Sequence, residues 1–104
     1  MSNAVERDVS KLVEKELTVA NIKFPPFHSA HEGYAVILEE VDELLESVHY
    51  TTDRLNCLWM AVKSNDMPAT DREIDWLEKT AINAACEAIQ VAAMCRKFRT
   101  MRRS

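Results

Sequence analysis

One glycine and three prolines in 104 residues leave little material for tight turns, and short alternations of β-branched with polar residues are few. Sheet proteins need both, whereas alanine and leucine are plentiful here, so an all-α chain is expected. Cysteine is also scarce: Cys57, Cys86 and Cys95 form no C-x-x-C pair and are odd in number, which suits a reducing compartment rather than a disulfide scaffold. Cys86 and Cys95 lie on roughly opposite faces of one helix at about 100° per residue, so they cannot bridge each other there. Hydrophobic residues make up 47% of the chain, yet no uninterrupted apolar run approaches membrane-spanning length. The opening MSNAVERDVSKL alternates charge with apolar residues, unlike a secretory signal. A soluble, cytoplasmic protein with no membrane partner is the expectation. Basic residues are in deficit, with a net charge of −4, which argues against a nucleic acid polymer as partner and shifts the weight to small ligands or proteins. There is no Gly-rich phosphate loop, and no Ser or Cys nucleophile sits beside a base.

What is present reads as one domain over 1–104, long enough for one core and inclined to bury more surface by oligomerising. A first helix falls in 1–23, with Val5, Val9, Leu12, Val13 and Leu17 on one stripe. The loop 24–29, carrying Phe24-Pro25-Pro26-Phe27, stops it, because proline lacks an amide hydrogen and biases its predecessor away from helix. Ser29 and Glu32 have the form of a capping box, opening a second helix over 30–50 with Tyr34, Ile37, Leu38, Val41, Leu44, Leu45 and Val48 on its apolar face. A short third helix is expected over 52–64. Thr70 to Glu73 resembles a second capping box, opening a long central helix over 71–99. The architecture expected is an antiparallel bundle of about four helices that oligomerises through its acidic and central helices.

The second helix carries Glu39, Glu40 and Glu43. Residues three or four apart on a helix have Cβ atoms about 5–6 Å apart, so these carboxylates can share a hard cation. Mg²⁺ needs only one or two carboxylates plus substrate phosphates and retained waters. A solvated acidic face has the same pattern, and from this helix alone it is the default reading.

Glu87 lies in the alanine-rich stretch NAACEAIQVAAMC, flanked on the helical wheel by Trp76, Thr80, Val91, Met94 and Phe98, with Asn83 and Gln90 at its shoulder. A buried carboxylate costs several kcal/mol unless a cation, donor or metal stands beside it. Either a metal or an ion pair with Arg54 or Lys79 would meet that need.

Together, Glu39-Glu40-Val41-Asp42-Glu43 and Glu87-Ala88-Ile89-Gln90 resemble the EExxE and ExxD motifs of the MazG-like, all-α nucleoside triphosphate pyrophosphohydrolases. HSAHEGYAVILEEVDELLESV with EAIQVAAM looks most like the small phage and prophage members, and the likeness covers about residues 24 to 98. The resemblance implies a helical bundle forming a homodimer or homotetramer, and Mg²⁺-dependent (or Mn²⁺-dependent) cleavage of a nucleoside triphosphate to monophosphate and pyrophosphate. It implies Glu40, Glu43 and Glu87 as metal ligands with Gln90 at the fourth position, and Glu39 and Glu43 in catalytic roles, Glu39 assisting or holding a metal-bound water. Two features depart from the family. Gln90 stands where the pattern has Asp, and an amide oxygen is a poorer Mg²⁺ ligand than a carboxylate. The interval between Glu43 and Glu87 is also longer. A degenerate metal site on a non-catalytic nucleotide-binding protein, or on a purely structural helical oligomer, is the alternative.

Asn83 and Gln90 are placed to orient water or touch the sugar. Trp59 and Trp76 would stack on a base or fill the core, and Phe24 and Phe27 would wall a base or plug the bundle end. His28 and His31 lack a zinc spacing and read as capping or surface residues. The run Arg96-Lys97-Phe98-Arg99 with Arg102 and Arg103 would complement the helix macrodipole or reach phosphate oxygens from a neighbouring subunit.

Overall fold

The computed structural model describes residues 4–101 and is all-helical over that range: α1 (Glu6–Lys23), α2 (Ala30–Lys63) and α3 (Met67–Met101). Arg102 and Arg103 lie outside the described residues. No helix among the described residues is long and apolar enough to cross a membrane.

α1 has no side-chain cap, but Glu6 and Asp8 occupy its positive end and Lys23 its negative end. It stops at Phe24, whose extended backbone (φ −132°, ψ 145°) suits a residue preceding proline. Ser29 caps α2 as its position suggests, its Oγ accepting from the Glu32 amide at 3.1 Å. The reciprocal half of the box is absent, since Glu32 Oε2 meets His28 Nδ1 at 3.0 Å.

Two expected boundaries need correction. The helices expected at 30–50 and 52–64 are one element, so three helices replace four. Nothing around Tyr50 breaks the backbone: Thr51 and Thr52 donate their hydroxyls to the carbonyls of Ser47 (2.9 Å) and Val48 (3.2 Å), one turn back on the same helix. The long helix also starts earlier than position 71. Asp66 is its cap, with Oδ1 accepting from the Ala69 amide at 3.0 Å, and Pro68 fits in the first turn, where its missing amide hydrogen costs nothing. Thr70 is thus inside α3, donating to the Asp66 carbonyl at 2.8 Å, and Glu73 pairs with Arg54 instead of capping. Between α2 and α3, Asn65 takes the left-handed conformation (φ 54°), which lets its amide and that of Asp66 return to the carbonyls of Val62 and Ala61.

The chain divides into two units. The first, residues 4–41 and 88–101 of the described chain, packs α1, the start of α2 and the end of α3. Val13, Phe27 and Ala93 are buried here, Ala93 completely. Gly33 is required by a close approach, because a Cβ at this position would stand 2.5 Å from Phe98 Cδ2 and 3.1 Å from Phe27 Cδ2. Arg96 ties α3 to α1 by donating to the Ser10 carbonyl, Ser10 Oγ and Glu14 Oε2 at 2.8 to 3.2 Å.

The second unit, residues 42–87, is a helical hairpin made from the rest of α2 and the start of α3. Polar ties within it include Arg54 with Glu73 at 3.3 Å, and Asn83 Nδ2 donating to the buried Ser47 Oγ at 2.9 Å. Much of the apolar surface stays exposed, including Leu45, Val48, Leu55, Trp59, Val62, Ile74 and Ile82.

Candidate functional site

Glu43 and Glu87 are brought together within the hairpin unit, where each offers a carboxylate oxygen within 4.8 Å of the other. Helix geometry explains the pairing: Glu43 is on α2, Glu87 is twenty residues into the antiparallel α3, and Ser47 with Asn83, one turn away on each helix, close the hairpin by a hydrogen bond. Two carboxylates at this separation repel each other when both are ionised. Glu87 is half-buried, and its Oε2 is shielded from solvent with no hydrogen-bond partner among the described residues.

The cations proposed from sequence as alternative partners for Glu87 are engaged elsewhere. Arg54 pairs with Glu73, and the Lys79 ammonium lies over the Trp76 ring, 5.3 Å from its centroid. An all-oxygen donor set with an orphaned buried oxygen fits a hard divalent cation such as Mg²⁺ better than a soft one. Glu40 precedes Glu43 by one turn of α2, so the two share a helix face.

The first unit contains a cavity of about 510 Å³ between α1, the Phe24 to Phe27 loop, the start of α2 and the end of α3. Such a volume lies in the usual range for small-molecule sites. Its floor is apolar, with Val19, Val36, Met94, Phe24 and Phe27, while Glu39, Glu40 and Gln90 bring polar groups to its wall. Gln90, Met94 and Lys97 lie on one face of α3, and all three reach the cavity.

The remaining sequence candidates are placed as follows. Phe27 is buried and walls the cavity. Asn83 holds Ser47, as described. Trp59 sits on the hairpin unit, 58% exposed, with the Lys63 ammonium 5.6 Å from its ring centroid. The basic C-terminal run separates by role, Arg96 binding α1 and Lys97 turning inward, buried against Phe27. In sequence Lys97 reads only as one member of the basic run; its spacing from Gln90 and Met94, which puts it on the cavity side of α3, is masked by the arginines around it.

No family model, curated protein or solved structure matches the chain.

Proposed function

We propose that this chain is a divalent-cation-dependent nucleoside triphosphate pyrophosphohydrolase of the MazG-like type, with Glu43 and Glu87 as principal ligands and Glu40, one turn earlier on α2, as the third. The observation that carries this reading is the approach of the Glu43 and Glu87 carboxylates, together with the buried Glu87 Oε2 lacking a hydrogen-bond partner among the described residues. Such an arrangement is costly empty and favourable around a cation. When bound, Mg²⁺ would supply charge neutralisation and Lewis-acid polarisation at phosphate oxygens.

The chain's own groups account for the rest. Glu39 is exposed and reaches the cavity, so its carboxylate can accept a proton from the water that attacks a phosphorus of the α–β anhydride. The phosphorus to bridging-oxygen bond then breaks, and monophosphate and pyrophosphate leave. Gln90 offers an amide oxygen and an amide N–H to the same cavity, suited to orienting that water or a sugar hydroxyl. Phe24 and Phe27 give a base an apolar wall.

A second copy of the chain belongs to this reading. Along α2, Tyr34, Leu38, Val41, Leu45, Val48, Thr52, Leu55, Trp59 and Val62 recur in alternating steps of four and three, the spacing of a coiled-coil seam. Except for half-buried Val41 they are exposed in the single chain. A homo-oligomer that covers this seam gives these side chains the burial that one chain does not.

The test is pyrophosphate release from a panel of nucleoside triphosphates with Mg²⁺, Mn²⁺ and chelator. Turnover that requires the metal and falls at least 100-fold in Glu43→Gln and Glu87→Gln is the expected result. Gln90, neutral where the family motif has Asp, favours a second reading as a non-catalytic nucleotide-binding protein; saturable binding without turnover selects it. Full activity in both Gln variants would remove the site assignment.

A further inference from the structure

Lys97 is only 6% exposed, lines the 510 Å³ cavity, and has its ammonium 4.8 Å from the Phe27 ring centroid. Among the described residues it has no ion pair and no hydrogen bond, the ring being its one partner. Lysine is almost never buried without a partner, because the ammonium loses hydration that an aromatic face restores only in part. Three N–H donors are therefore available on the inner wall of a cavity with an aromatic side. The cavity also carries Glu16, Glu32, Glu39 and Glu40 against Lys23 and Lys97, so its lining is net acidic. A bare phosphate beside Lys97 would face four carboxylates. A flat, neutral ring with an outward carbonyl meets no such repulsion and takes both the aromatic wall and the donor.

We propose that Lys97 determines base specificity in a nucleobase subsite, its ammonium donating a hydrogen bond to the ring carbonyl that distinguishes the keto bases uracil and guanine from cytosine and adenine. Phe24 and Phe27 wall that ring, and Gln90, about 10 Å along α3 at 1.5 Å per residue, lies toward the sugar. The amino bases present a donor at the edge where uracil and guanine present an acceptor, and a donor facing an ammonium is left unpaired. This inference rests on the nucleotide reading above but not on catalysis.

The test is calorimetric titration of the full chain, in Mg²⁺, with uridine, guanosine, cytidine and adenosine 5′-monophosphates, beside pyrophosphate release from the matching triphosphates. The keto nucleotides should bind roughly tenfold or more tightly than the amino nucleotides. Lys97→Met keeps the apolar stem and should reduce that ratio below about threefold while leaving the amino nucleotides unchanged. Base preference without pyrophosphate release overturns the activity and leaves this inference standing; release without base preference overturns this inference alone. Equal weakening of all four ligands in Lys97→Met makes Lys97 a phosphate contact and also overturns it. The wild-type ranking decides even if the variant does not fold, since a chain that binds all four alike has no such subsite.

Discussion

At position 87 the sign of the charge matters more than its size. If the proposed site holds a cation, a carboxylate half-buried near another carboxylate would oppose folding without the metal and favour it with the metal, the same side chain acting in opposite directions in the two states. Glu87→Gln should raise the melting temperature in chelator, or leave it unchanged, and should abolish the rise on adding Mg²⁺. In the wild type that rise should correspond to about 2.7 kcal/mol at a Mg²⁺ concentration 100 times Kd. Scanning calorimetry with and without Mg²⁺ checks it, and a Glu87→Gln protein still stabilised by Mg²⁺ counts against the ligand role. Gln90→Asp gives the complementary prediction. A charged oxygen replaces an amide one next to the proposed ligand set, so under the proposed function Mg²⁺ should bind about tenfold more tightly by titration calorimetry. An unchanged affinity would place residue 90 outside the metal's reach and leave it to the sugar or the water.

At the scale of elements, the caps show how much the sequence disclosed. Ser29 was legible because its side chain needs only the amide three residues ahead. Thr70 and Glu73 have the same form but do not cap, because Asp66 stands one turn earlier and accepts from the Ala69 amide, leaving Thr70 to bond the Asp66 carbonyl from within the helix. Asp66→Ala should therefore cost about 1 kcal/mol in urea unfolding and Thr70→Ala less than about 0.5. The reverse order would restore position 70 as the cap. The continuity of α2 was hidden for a related reason: Tyr50, Thr51 and Thr52 are indifferent helix formers, and the bonds of both threonines to carbonyls one turn back are compatible with either a break or a helix. Gly33 was not flagged at all, since only the packing of Phe98 and Phe27 against it reveals the need. Gly33→Ala gains up to about 1 kcal/mol of helix propensity but must displace the Phe98 ring, at a cost of about 1–3 kcal/mol. A net loss of melting temperature is expected, and Phe98→Leu in the same chain should recover part of it. A stabilised Gly33→Ala would show that the ring moves aside freely.

Over the whole molecule, the nearness of Glu40 to Glu43 is legible from helical spacing alone, and the apolar surroundings of Glu87 in sequence single it out, whereas Glu39, adjacent in sequence, lines the cavity and is not in the carboxylate group. What spacing cannot reveal is which stripe of an amphipathic helix faces its own chain. Leu45 and Val48 share the apolar face read from sequence with Leu44, yet both are more than two-fifths exposed, as are Leu55, Trp59 and Val62 further along α2. Leu44 and Ser47 take the inward positions, and among the described residues no large side chain is fully buried. In the proposed homo-oligomer a second copy covers this exposed seam, and a chain of 104 residues would gain stability by that association. The wild type should therefore elute as a multiple of 11.9 kDa in size-exclusion chromatography with light scattering, and its melting temperature should rise with protein concentration. Leu55→Glu puts a charge at the middle of the seam, where an unpaired carboxylate buried between helices costs several kcal/mol, so it should yield monomers with a melting temperature that no longer depends on concentration. An Arg54→Ala control removes a charge that is engaged with Glu73 inside the hairpin and should destabilise the chain without changing its mass in solution. A wild type that is monomeric at every concentration, or a Leu55→Glu variant with the wild-type mass, would mean that something other than a second copy meets this face.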